Sequence, residues 1–223
     1  MSHLGLFAIC AGIPLLLGLA AQAWVSGTFR RYSAVRPRNG MTGADAAAAV
    51  LSASGLSGVS IRPVAGKLSD HYDPRDRTLN LSAEVGGASS VAALGVAAHE
   101  AGHAIQDSRR WWPMRVRQTF VPAATVGSRF WFFPVVAGFL LQSTGLVTVG
   151  LVLFLAVVLF QLVTLPVEFD ASNRALAALE RGGLLEPDEL TGARKVLNAA
   201  ALTYVAGFAA ALGQLVYFFI ASR

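Results

Sequence analysis

A chain of 223 residues that is 54% hydrophobic and only 14% charged falls well short of the roughly 25% charged residues of a soluble domain. This excludes an ordinary water-soluble enzyme and points to a mainly α, multi-pass membrane protein. The net charge of +5 needs no nucleic-acid partner, because basic residues beside membrane spans face anionic lipid at the inner surface.

The first apolar run, Leu4 to Thr28, predicts a transmembrane helix over 4–26, since about 20 apolar residues cross a bilayer. Ala21-Gln22-Ala23 resembles a signal-peptide cleavage site. However, "MSHLGLF" offers no Lys or Arg before the run and "FRRYSAVRPR" places four Arg after it, which is the charge order of a retained anchor. Cys10 stands alone inside this span, so no disulfide framework can form within one chain.

Residues 27–118 are more polar and predict a small α+β subdomain. "MTGADAAAAVLSASG" reads as a helix with Thr42 as N-cap, Asp45 as its capping-box partner and Gly55 as its stop. "GVSIRPV" and "RTLNLS" alternate as half-buried strands do, with the turn-rich "SDHYDPRD" between them. Two strands joined by a polar loop are expected, with "TLNLS" as an edge that aligns an extended peptide or as an ordinary sheet strand. From Ser89 or Ser90 a buried helix at the membrane surface should run through "VAALGVAAHEAGHAIQ" to about Gln106.

The remaining apolar sequence predicts spans over 119–141 and 145–166, divided by the turn formers of "LLQSTGL", and a fourth span over 199–220. Residues 167–198 form the second polar segment. Arg30, Arg31, Arg36 and Arg38 follow the first span, Arg109, Arg110, Arg115 and Arg117 precede the second, and Arg174, Arg181, Arg194 and Lys195 separate the third from the fourth. The positive-inside rule then sets both polar segments in the cytoplasm and both termini outside, in the plasma (inner) membrane.

Chemistry concentrates in "HEAGH". On a helix, residues i and i+4 share a face, so His99 and His103 can present imidazole nitrogens to one metal ion. Glu100, about 100° round from His99, points past the ligands and can hold a zinc-activated water as proton acceptor. This is the HExxH arrangement of zinc proteases, and it predicts hydrolysis of a peptide bond. A catalytic zinc takes three protein ligands and keeps an open position. Candidates for the third are His71 and the carboxylates Glu168, Asp170 and Glu180. Glu168 stands out because it follows the third span directly, where a carboxylate without a partner is costly. Ala171 and Ser172, on or near the Glu168 face, are small enough for a close approach to the HExxH helix. His71 can contact substrate or the transition state, or bond within its own turn. Arg174 and Tyr204 can stabilise an oxyanion, or serve as a lipid-phosphate contact and an interfacial aromatic.

"DHYDPR", "LS", "AAHEAGHAIQ", "LPVEFDASNRA" and "ALTYVA" together resemble the bacterial membrane zinc metallopeptidases of the YugP type, from about Gly66 to Ala206. The resemblance implies a multi-pass peptidase with one zinc ion, His99 and His103 as ligands and Glu100 as catalytic residue. "EFDAS" is similar to the E-F-x-A-D element of HtpX-like and CAAX prenyl endopeptidases, whose glutamate is the third ligand; this maps onto Glu168. Ser172 stands where those enzymes have Asp.

Three other functions compete with a peptidase of peptide or membrane-protein substrates. An intramembrane-cleaving protease would want a second ligand motif deep in a span. A non-catalytic zinc-binding assembly factor has no need of the intact Glu100. A transporter would carry more ionisable residues in its spans than Arg129 near the start of the second.

Overall fold

The computed structural model describes residue 5 and residues 8–222; the start of the expected first span at Leu4 lies outside them. The chain is mainly helical. A π-helical turn at Ala8–Gly12 leads into α1 (Ile13–Ser33), and α2 (Gly43–Ala53), β1 (Ser60–Val64), β2 (His71–Asp73), β3 (Thr78–Ser82) and a single turn α3 (Ala83–Gly86) follow. Then come α4 (Val91–Ser108), α5 (Trp112–Phe130), α6 (Phe132–Leu140), α7 (Thr144–Arg181) and α8 (Pro187–Ala221). Among the described residues four helical stretches are long and apolar enough to cross a membrane: Ala8–Ser33, Trp112–Leu140, Thr144–Arg181 and Pro187–Ala221.

The residues fall into two compact units. The first takes the described residues of Met1–Gln22, Arg115–Pro166 and Leu202–Arg223. Its helices pack through glycine. A methyl group at Gly150 would strike Val135, one at Gly127 the Leu153 carbonyl, and one at Gly213 the Cys10 carbonyl. Small residues of this kind let helix backbones approach where lipid removes the hydrophobic drive to associate. Large apolar side chains such as Leu15, Leu16, Phe133, Leu140 and Val152 are exposed, as suits a surface that meets lipid.

The second unit, Ala23–Met114 with Val167–Ala201, has its own core. Val50, Leu79, Val85, Leu94, Val167 and Leu179 are essentially fully buried within it. The helix expected after Thr42 forms with both capping-box bonds. Asp45 N–H donates to Thr42 Oγ1 at 3.2 Å and Thr42 N–H to Asp45 Oδ2 at 2.9 Å. Gly43 holds α2 against the turn α3, because a Cβ there would collide with the Val85 carbonyl.

The sheet departs from expectation. It has three strands in the order β1-β3-β2, with β1 parallel to β3 and β2 antiparallel to it. Of the two readings of "TLNLS", the ordinary sheet strand therefore holds: it is the central strand and not an edge. Its burial shows why: Thr78, Leu79, Leu81 and Ser82 are all buried, whereas an edge with one wet face would alternate. The hydroxyls on the second face are accommodated by hydrogen bonds from Thr78 Oγ1 to Asp76 and from Ser82 Oγ to Asp70. The edge place next to β3 belongs to "HYD" inside the turn-rich stretch, where Tyr72 is buried and pairs with Leu79.

Candidate metal centre

Helix α4 begins at Ser90, whose hydroxyl accepts from Ala93 N–H at 3.2 Å, and it carries His99, Glu100 and His103. Helix α7 carries Glu168 on its polar end. The two helices touch at Gly102 and Ala171. A Cβ on Gly102 would lie 2.6 Å from the Ala171 carbonyl oxygen, so only glycine admits this approach. The small residues expected beside Glu168 thus do meet the HExxH helix.

This approach gathers His99, His103 and Glu168, whose ligand atoms all lie within 4.8 Å of one another. Glu168 Oε2 is 3.2 Å from His99 Nε2, and Glu168 Oε1 is 3.7 Å from His103 Nε2. Glu168 is 2% exposed and His103 6%. Bonds of about 2.0–2.1 Å to a tetrahedral zinc set its donors about 3.3 Å apart, so the spacing suits such an ion. The chemistry suits it too, because two imidazoles and one carboxylate make the His₂Glu set of catalytic zinc sites.

Glu100 sits beside this triad, half-buried. Its Oε2 accepts the backbone N–H of Tyr72 at 3.1 Å, which ties the edge strand β2 to the site helix. Burial pushes the Glu100 carboxyl up to about 7; neighbouring His99 pulls it down, while Glu168 and Asp70 push it further up. A carboxylate poised near neutrality is suited to accept a proton and give it back. The Tyr72 hydroxyl donates to Asp107 Oδ2 at 3.0 Å, and burial first, then Asp107, raises its pKa.

The other nitrogens of the two imidazoles are also engaged. His99 Nδ1 lies 3.1 Å from Ser172 Oγ. His103 Nδ1 lies 3.0 Å from Gln106 Oε1. The sequence alone does not single out Gln106: its one signal is its position, three residues beyond His103 on the same helix, and its complete burial is visible only in the fold.

Among the described residues, neither His71 nor Asp170 joins the cluster of possible metal donors. His71 is exposed on β2, with Nδ1 2.8 Å from the Ser69 carbonyl and Nε2 3.3 Å from Asn80 Nδ2, so both nitrogens are engaged locally. Arg174 bonds Asp170 one turn back and lies over the Trp111 ring, 5.8 Å from its centroid. Asp170 faces Gln106 and Arg174. Tyr204, half-buried on α8, falls in the other unit.

The comparisons agree with this chemistry. The model of a family described as "putative neutral zinc metallopeptidase" matches residues 7–223. A Bacillus subtilis (strain 168) protein, "Putative membrane protease YugP", is 42% identical over 204 residues, 91% of each chain. No solved structure matches. Since the family match runs through both donor-bearing helices and nearly the whole chain, the protein belongs to this family.

Proposed function

We propose that the protein is a zinc metalloendopeptidase of the plasma (inner) membrane, acting on peptide or protein substrates at the cytoplasmic face. His99, His103 and Glu168 hold one zinc ion and Glu100 moves the proton. The observation that carries this reading is three donor atoms within 4.8 Å of one another, from the buried His103 and Glu168 and the half-buried His99, with a fourth ionisable group, Glu100, on the histidines' helix but outside the donor set. The zinc, when bound, supplies Lewis acidity that polarises a carbonyl and lowers the pKa of water.

Glu100 takes a proton from the attacking water and delivers it to the departing amine nitrogen. The C–N bond breaks, and the elements of one water are added across it to give a carboxylate and an amine. The Tyr72 N–H orients Glu100 Oε2 for this transfer. Because that same bond brings the β2 edge alongside Glu100, an extended peptide added to β2 would lie next to the proton carrier. Main-chain pairing of that kind gives affinity with little sequence preference. The cytoplasmic orientation follows from the basic residues that flank the spans.

The test is zinc content by mass spectrometry together with cleavage of a quenched peptide, on protein purified in detergent. Stoichiometric zinc in the parent and in Glu100→Gln, its loss in His99→Ala and Glu168→Ala, and no cleavage by any of the three variants is the expected pattern. Zinc retained by Glu168→Ala would remove it from the ligand set, and cleavage by Glu100→Gln would remove Glu100 from its role.

A further inference from the structure

Behind His103 lies a chain of polar groups with no part in the proton transfer described above. Gln106 is fully buried. Its Nε2 donates to the Val167 backbone carbonyl and to Asp170 Oδ2, both at 2.8 Å. Asp170 also accepts from Arg174 Nε, and the Arg174 guanidinium rests over Trp111. Asp170 thus lends Gln106 a strong acceptor while its own charge is answered by the arginine.

Hydrogen-bond chemistry fixes the direction of every bond in this chain. A side-chain amide has one accepting end and one donating end. The Val167 carbonyl and the Asp170 carboxylate only accept, so the Gln106 nitrogen must face them. Turned over, the amide would set its oxygen against two acceptors in a buried place, each clash costing an unmade hydrogen bond. Gln106 Oε1 is therefore the atom left for His103, and it too only accepts. A hydrogen bond across the 3.0 Å from Gln106 Oε1 to His103 Nδ1 then requires the proton on Nδ1. A neutral imidazole has one such proton, so Nε2, which faces Glu168, is left with its lone pair. At His99 the Nδ1 side sets no such constraint, because it meets Ser172 Oγ, a hydroxyl that can donate or accept, while the Glu168 carboxylate 3.2 Å from its Nε2 only accepts.

We propose that Gln106, held by Asp170 and Arg174, is a positioning residue that sets His103 in the Nδ1–H tautomer and so readies Nε2 as a ligand. The value of that tautomer to the protein rests on the reading of His103 as a zinc ligand. A partner on the distal nitrogen that fixes the ring of a metal-bound histidine typically changes metal affinity by about 10–100-fold.

The experiment reads the tautomer directly, by long-range ¹H–¹⁵N NMR of histidine-labelled full-length protein in detergent. The protein is stripped of metal and held at a pH where the imidazoles are neutral. Only four histidines are present, and single replacement of His3, of His71 and of His99 assigns the spectrum. The expected result is His103 with its proton on Nδ1 in the parent. In Gln106→Leu the Nδ1–H preference is lost, and zinc affinity, measured by chelator competition, falls about 10–100-fold. In Asp170→Asn the amide oxygen can take the place of Oδ2, which accepts from both Gln106 Nε2 and Arg174 Nε, so Gln106 keeps its orientation. Nδ1–H and the larger part of the zinc affinity should therefore be kept.

An Nε2–H His103 in the parent overturns the proposal. So does a Gln106→Leu variant that keeps both the Nδ1–H form and the parent's zinc affinity. Should Gln106→Leu fail to fold, the parent and Asp170→Asn decide, since an Nε2–H His103 in either is equally fatal. A parent with Nδ1–H on His103 that takes up no zinc would sustain the relay and sink the zinc reading instead.

Discussion

The contact between Gly102 and Ala171 makes the whole of the proposed metal centre sensitive to one methyl group. In Gly102→Ala the new Cβ would stand 2.6 Å from the Ala171 carbonyl oxygen and 3.2 Å from that residue's Cα. A carbon needs about 3.2–3.4 Å from a carbonyl oxygen, on the scale of ordinary nonbonded contacts. Ala171 is backbone here, fully buried, and cannot swing aside as a long side chain would. Helices α4 and α7 must therefore part locally by about 0.6–0.8 Å, on that same contact scale. His99 and His103 ride on one helix and Glu168 on the other, and a metal site tolerates about 0.2 Å in its bond lengths. The side chain of Glu168 can recover part of the gap by rotating, but not without leaving its rotamer well. Overpacking of a close contact costs about 1–3 kcal/mol, offset in part by the roughly 1 kcal/mol by which alanine outranks glycine in a helix. The expected outcome is a folded variant whose zinc affinity is at least about ten-fold weaker, on the scale of a disturbed ligand shell. Denaturant titration of the metal-free protein separates this from loss of fold, and chelator competition reads the zinc. Gly95→Ala is the control on the same helix, because its Cβ meets the Ala193 methyl at 3.3 Å, away from Glu168, and its zinc affinity should match the parent's. Parental zinc affinity in folded Gly102→Ala would refute the claim that this approach sets the donor spacing.

Ser172→Ala removes the group 3.1 Å from His99 Nδ1 and should weaken zinc about ten-fold, less than loss of Glu168; chelator competition compares the two, and an unchanged affinity would make the hydroxyl irrelevant to the ligand. The raised Glu100 carboxyl predicts a pH dependence for the metal-free fold. Its pKa of about 7 lies above the ordinary 4.5, so the fold favours the protonated form. No penalty is present below pH 4.5; it grows as pH rises from 4.5 to about 7 and is constant above that. For a half-buried group it should amount to about 1–2 kcal/mol. Melting of the metal-free parent in detergent at pH 5 and pH 8 should show the higher stability at pH 5, and Glu100→Gln should level the difference. Equal slopes in the two proteins would mean that another group is responsible.

Local rules carried much of the second unit. Thr42 and Asp45 name their own helix start, and the period of 3.6 residues brings His99 and His103 to one face with no knowledge of the tertiary fold. Glu168 was legible for a different reason: a carboxylate placed directly after a long apolar run demands a partner. What the sequence hides is decided by tertiary contact. β2 is only three residues long, among turn formers, and becomes a strand because β3 offers it a ladder and the core takes Tyr72. β3 reads as a half-buried edge because Thr78 and Ser82 look polar, whereas Asp76 and Asp70 satisfy their hydroxyls in the interior. Gln106 looks like one more polar helix residue until the Val167 carbonyl and Asp170 are seen to hold it.

These hidden contacts share a design. No ligand of the proposed site is oriented by its own helix alone. His99 is reached by Ser172 and His103 by Gln106, whose amide is held from α7. Glu168 comes to both from that same helix. The segment that supplies the carboxylate therefore also supplies the groups that orient the imidazoles, and it does so through one crossing that only glycine permits. A displacement of α7 against α4 would shift the third donor and loosen the other two together, so zinc binding and the packing of these two helices should be lost as one event. Zinc added to the parent should then raise the melting temperature of the second unit, whereas in Gly102→Ala the same zinc concentration should raise it less.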